Sequence, residues 1–191
     1  MSKSRLEAFS DGVIAILITI MVLELTVPHG TGWNAIRPLV PVLLAYVLSF
    51  VVIGIYWNNH HHMLHAAQRV NGRMLWANLH LLFWLSLIPF TTAWMGENGF
   101  APLPTAAYGF VLLMSGGAYP ILQAAIIAHH GPGSKLAKAV GSGHKEKLSL
   151  TLYAAAIPLA FVHQAISLTI YVVVALLWLI PDKRIESALE S

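Results

Sequence analysis

The chain has 191 residues, of which 57% are hydrophobic and 10% charged; its formal net charge is +3 and it has no cysteine. Soluble domains carry about 25% charged residues, so an ordinary soluble domain and a broad basic nucleic-acid surface are excluded. The missing thiols exclude disulfides and thiolate metal sites. Four stretches lack Asp, Glu, Lys and Arg altogether: 31 residues after Arg37, 23 after Arg73, 37 after Glu97 and 34 after Lys147. About 20 apolar residues suffice to cross the hydrocarbon core of a bilayer. The composition is that of an all-α integral membrane protein.

The first predicted span covers residues 6–27 and stops at Pro28 and Gly30. Lys3 and Arg5 precede it, but no small-residue cleavage pattern follows, so it reads as a retained helix rather than a signal peptide. The second predicted span is 38–62, the third 75–94 and the fourth 103–127. The apolar stretch from Leu148 to Pro181 would be about 50 Å long as one helix, too long for a modest tilt. His163 and Gln164 near its middle mark a turn, which divides it into spans 146–162 and 165–181. Six spans put Lys3, Arg5, Arg69, Arg73, Lys135, Lys138, Lys145, Lys147, Lys183 and Arg184 on one side of the membrane and leave Arg37 alone on the other. By the positive-inside bias that side is cytoplasmic. The expectation is a single six-helix domain over 1–191 with both termini in the cytoplasm.

The first span carries the unusual chemistry. Asp11 lies within it, close to the basic N-terminus, and Glu24 lies near its far end. Lipid does not solvate a carboxylate, so Asp11 calls for protein or water and a partner, such as a basic residue of another helix; Glu24 reads as a wetted end residue. Val13, Ile16, Ile20, Leu23 and Val27 recur at helical spacing, and periodicity alone makes this a packing face. Gly12, Ala15 and Thr19 form a small-residue stripe beside it, which permits close helix approach.

The segment Arg5-Leu6-Glu7-Ala8-Phe9-Ser10-Asp11-Gly12 places an arginine, three residues, then Phe-Ser-Asp at the start of a first span. It resembles the signature of the endosomal/lysosomal-type potassium channel family, transmembrane protein 175, in its prokaryotic single-repeat form. The run Leu82-Phe83-Trp84-Leu85-Ser86-Leu87-Ile88-Pro89-Phe90 is similar to the family's third helix. The resemblance implies a potassium-selective, passive cation channel, a homotetramer in which four first helices line a central pathway. Ile16 would be the principal constriction, with Ile20 and Leu23 beyond it on the same face and Thr19 offering hydroxyls to the ion. Arg5, Phe9, Ser10 and Asp11 would position the helix, and an interhelical network would involve Trp57, Asn58 and His80. Potassium, with other monovalent cations, would be the permeant ligand; no catalytic group, cofactor or nucleic-acid partner is implied. The setting would be lipid in a prokaryotic plasma membrane.

Ten histidines support a rival reading. His61 and His65 are four apart and share a helix face, near His60 and His62. Two imidazoles one turn apart can bind a transition metal, so a histidine-dependent metal or proton transporter is an alternative, and a noncatalytic membrane scaffold is another. Most of these histidines fall where a helix reaches the interface, where an amphipathic side chain costs little to place.

Overall fold

The computed structural model describes residues 2–131, 133, 134, 136, 137 and 143–179. Among them there are helices and no strand. Helix α1 spans Lys3–Leu23. A short helix α2, Trp33–Ile36, runs through one 3-10 turn, Arg37–Leu39, into α3, Val40–His65. Then follow α4 (Gly72–Ser86), α5 (Ile88–Glu97) and α6 (Pro102–His130). The last described pair is α7 (His144–Val162) and α8 (Gln164–Leu179). The C-terminal end of the predicted last span, and Lys135, Lys138, Lys183 and Arg184, lie outside the described residues.

Among the described residues four helical stretches are long and apolar enough to cross a membrane: Lys3–Leu23, Trp33–His65, Gly72–Glu97 and Pro102–His130. α8, with 16 residues, is a shorter apolar helix. α7 carries Lys145, Glu146 and Lys147 in its first turn. The protein is thus an all-helical, multi-pass membrane protein. The stretch from Gly72 to Glu97 divides at Leu87 because Pro89, in the first turn of α5, has no N–H to give Leu85 and its ring crowds that carbonyl. Pro120 and Pro158, by contrast, lie inside unbroken helices.

The α7–α8 turn rests on one residue. His163 is extended, with φ −161° and ψ 112°, and ends α7. Its Nδ1 then accepts from the amide of Ala165 at 3.3 Å, and its carbonyl accepts from Ile166 at 3.0 Å, so it caps α8. Ser167 of α8 donates back to the carbonyl of Ala156 on α7 at 2.6 Å and closes the pair.

α6 is the central post of the bundle, packed against α4, α5, α7 and α8, while α1 lies along α3, α4 and α5. Most polar side chains buried within the bundle bond to other parts of the protein, as hydrocarbon requires, although the hydroxyl of Ser115 has no partner among the described residues. The hydroxyls of Ser49, Thr92 and Tyr108 join α3, α5 and α6, with Ser49 2.7 Å from Thr92 and 2.9 Å from Tyr108. Tyr171 donates to the carbonyl of Thr105 at 3.0 Å. A cavity of ≈ 50 Å³ remains between α3, α6, α7 and α8, bounded by Tyr56, Tyr119, Tyr153, Trp178 and Glu146.

Two glycines mark the closest helix approaches. The Tyr171 hydroxyl presses against Gly109, where no Cβ would fit. At Gly96 a Cβ would come within 2.8 Å of the Val42 Cα, an atom of the α3 backbone that cannot swing aside. Overpacking of this kind costs about 1–3 kcal/mol. Gly96→Ala should therefore lower the unfolding midpoint in detergent by an amount of that order. Gly117→Ala, at a site with nothing within 4 Å, should leave it unchanged or raise it slightly through better helix propensity.

Candidate functional site on the first helix

α1 has two apolar faces. One holds Leu6, Ser10, Ile14, Leu17 and Met21, at intervals of three or four residues, and is buried against the bundle. The other carries Phe9, Gly12, Ala15, Ile16, Thr19, Ile20 and Leu23, all exposed. Ile16 is 56% exposed and Leu23 78%, so the residues expected at the constriction do not belong to the core of the chain. Thr19 donates back to the carbonyls of Ala15 and Ile16, at 3.2 and 3.0 Å, which leaves its oxygen lone pairs open to an outside group.

Polar bonds set which face looks inward. Ser10 is fully buried; its hydroxyl donates to the carbonyl of Leu6 at 2.9 Å and accepts from the amide nitrogen of Asn78 at 3.0 Å. The Asn78 oxygen lies 2.7 Å from Nε2 of His60, so α1, α4 and α3 are joined by a chain of three side chains. One residue further along α1, the Asp11 carboxylate accepts from the Trp57 indole at 3.1 Å. At the N-terminal end Lys3 donates to the carbonyl of His65 at 2.9 Å and pairs with Glu7 at 3.6 Å. Glu24, just past the end of α1, is exposed.

The positioning motif is therefore split. Ser10 and Asp11 hold α1 to the helices of its own chain, whereas Arg5 and Phe9 are exposed. The partner of Asp11 is the Trp57 N–H rather than a basic residue of another helix, the example offered above.

The interhelical network also differs from expectation in two of its three members. Trp57 takes part, but His80 accepts from Trp84 at 3.0 Å within its own helix, and Asn58 is exposed on α3. The seats they were expected to fill belong to Asn78 and His60. In each case the residue two positions away holds the bond, because two residues of an α-helix are about 200° apart. Helical phase could have shown this. Asn78 falls in step with Met74, Ala77, Leu81 and Leu85, the buried stripe of α4.

His61 and His65 are exposed and stack with ring centroids 6.2 Å apart, and His61 also stacks on Trp57. Among the described residues no group of three or more His, Cys, Asp or Glu side chains is placed to hold a metal ion. The pair amounts to an aromatic ladder along α3.

Leaving a buried polar group without its partner costs about 1–3 kcal/mol. Asn78→Leu should therefore destabilise the protein by an amount of this order, since it leaves the His60 Nε2 without its partner and takes one of the two bonds of the Ser10 hydroxyl. Ser10→Ala should cost less, because one donor loses one acceptor. A double-mutant cycle on unfolding in detergent should return a coupling energy between positions 10 and 78, and no coupling would contradict the network.

The geometry is matched by comparison with known proteins. Residues 5–89 match the endosomal/lysosomal potassium channel TMEM175 family. A protein of Chryseobacterium sp. (strain P1-3) named as a potassium channel is 54% identical over 191 residues, 100% of both chains. A Gallus gallus protein named endosomal/lysosomal proton channel TMEM175 is 42% identical over 73 residues, 32% of this chain and 15% of its own. The crystal structure of a lysosomal potassium-selective channel TMEM175 homolog from Chamaesiphon minutus aligns with a TM-score of 0.79 at 27% identity, covering 94% of this chain and 97% of that one. A relative this similar from end to end, together with the shared fold and the Arg5–Asp11 signature, establishes that the chain belongs to the TMEM175 potassium channel family.

Proposed function

We propose that this protein is a potassium channel subunit and that four copies surround a central aqueous pathway lined by the exposed face of α1. The observation that carries the reading is the outward Ile16–Thr19–Ile20–Leu23 stripe on a helix whose opposite face is tied into the bundle. A largely apolar face has no reason to seek water, but four such faces around an axis create a narrow passage whose wetting depends on its width. Ile16, Ile20 and Leu23 would form the constriction. Hydrophobic rings of this kind gate by dewetting, so a small outward shift of α1 restores conduction. Thr19, with its hydroxyl hydrogen already committed to its own helix, would present oxygens to a partly dehydrated cation. Arg5 and Phe9 would meet the neighbouring subunit, while Ser10 and Asp11 hold the helix from behind.

Relatives named as potassium channels support potassium as the permeant ion. No carbonyl filter of the Thr-Val-Gly-Tyr-Gly type occurs in the sequence, so discrimination would come from the cost of dehydration and from Thr19. Potassium sheds its hydration shell more cheaply than sodium. Conduction would be passive; the family and its relatives are ion channels, not enzymes. Six crossings with both termini cytoplasmic remain the topology that best gathers the positive charge. In it α7 and α8, with 19 and 16 residues, would complete the fifth and sixth crossings. The membrane would be the plasma membrane of a prokaryotic cell, with lipid and three further copies as the partners.

Reconstitution in liposomes tests the reading. With pH held equal on both sides, the reversal potential should follow the potassium gradient; a scaffold would give no current, and a proton pathway would ignore potassium. Ile16→Asn should raise the resting leak several-fold and weaken discrimination against sodium. Current unaltered in size and selectivity by Ile16→Asn would remove Ile16 from the pathway.

A further inference from the structure

His130, the last residue of α6, is bonded on both ring nitrogens. Its Nε2 lies 3.0 Å from the backbone N–H of Gln68 and 3.2 Å from that of Arg69, and its Nδ1 lies 2.9 Å from the carbonyl of Ile126. Two amide donors aimed at one nitrogen require a lone pair there. The ring is therefore the neutral tautomer with the hydrogen on Nδ1, donated to Ile126. Gln68 and Arg69 belong to the connection between α3 and α4, which follows directly on His65. The carbonyl of His65 receives the ammonium of Lys3, at the start of α1. A continuous set of contacts thus leads from one imidazole to the N-terminal end of the helix carrying the exposed stripe.

A proton added to Nε2 would turn the acceptor into a donor facing two donors, and both bonds would be lost together. The charged and titratable groups on the adjoining segments offer a protonated ring little compensation. Among the described residues they are His62 and His65 on α3, Arg69 on the connection, Arg73 on α4, Lys3 on α1 and His129, whose ring centroid is 5.1 Å away on α6. Among the described residues the neighbouring helices carry Glu7 and Asp11 on α1, Glu97 at the end of α5 and Glu146 on α7, and Asp11 accepts from Trp57. Glu7 pairs with Lys3, and Glu146, in a first turn of α7 that also carries His144, Lys145 and Lys147, borders the cavity with Tyr56 and Trp178.

We propose that neutral His130 is a positioning residue that holds the α3–α4 connection and, through it, the N-terminal end of α1, and that protonation releases this hold. Imidazole changes its charge between about pH 5 and 8, so acid on this side of the membrane is the signal. A released α1 loses part of its backing and relaxes toward the axis it faces, which narrows the constriction and lowers the current. The effect on current rests on the channel reading above; the release of the connection does not.

Two measurements separate these. Hydrogen exchange of the segment 66–71 in the detergent-solubilised protein, corrected for intrinsic rates, should show about a tenfold loss of protection between about pH 7.5 and 5.5. In His130→Gln, whose side-chain oxygen accepts from the same amides without titrating, protection should stay constant. Unchanged protection in the wild type, or an equal loss in the variant, would overturn the proposal whether or not the protein conducts. In liposomes, acid on that side should reduce wild-type current at least about twofold and leave His130→Gln current unchanged, with His130→Ala low at both values. An intact exchange response with a pH-insensitive current would sever the link from the connection to α1.

Discussion

The buried hydrogen bond between Ser10 and Asn78, extended to His60, fixes the rotation of α1 about its own axis, and the rest of the arrangement follows from that rotation. In a soluble protein an amphipathic helix finds its angle through the hydrophobic effect. Within lipid that force is absent between helices, and α1 is apolar on both sides. Ile14 and Leu17 are no more apolar than Ile16 and Ile20, yet the first pair is buried and the second exposed. The difference lies in one hydroxyl and one carboxylate. Burying Ser10 without a partner, or turning Asp11 into hydrocarbon, costs far more than exchanging one isoleucine for another.

This anchoring asks for a stiff support, and the helices behind α1 supply it. Asn78 and His60 project from α4 and α3, which are in turn held by α6 and α5. Gly96 lets α5 approach the backbone of α3, and the Ser49–Thr92–Tyr108 hydroxyls bond those two helices to α6. The frame leaves one apolar stripe of α1 outside. In a membrane-embedded channel family such a stripe has two fates, lipid or a shared axis, and on the reading proposed above the Thr19 oxygen, its hydrogen given to its own helix, would face ions on that axis.

Much of this was legible in the sequence. Charge-free stretches located most of the apolar helices, and His163–Gln164 marked the turn between α7 and α8, because a polar pair has no place in the middle of a span. The Arg5–Asp11 signature led to the family. Two things were hidden by distance along the chain. Asn78, the partner of Ser10, sits 68 positions away and His60, the partner of Asn78, a further 18 from it, and choosing Asn78 over His80, or His60 over Asn58, needs the helical phase of α4 and α3 and not merely their location. Nor does composition disclose that an imidazole at the end of α6 satisfies the turn between α3 and α4, since a histidine at an interface looks ordinary until both of its nitrogens are traced.

The absence of native cysteine makes the central claim directly measurable, because Ile16→Cys carries the sole thiol of the chain. A charged, water-soluble thiol reagent applied to reconstituted Ile16→Cys should react and reduce potassium flux, while Ile14→Cys, on the buried face, should remain unmodified. Reaction at position 16 only with a reagent that partitions into lipid, with flux unaffected, would place this face of α1 against the bilayer and contradict the account.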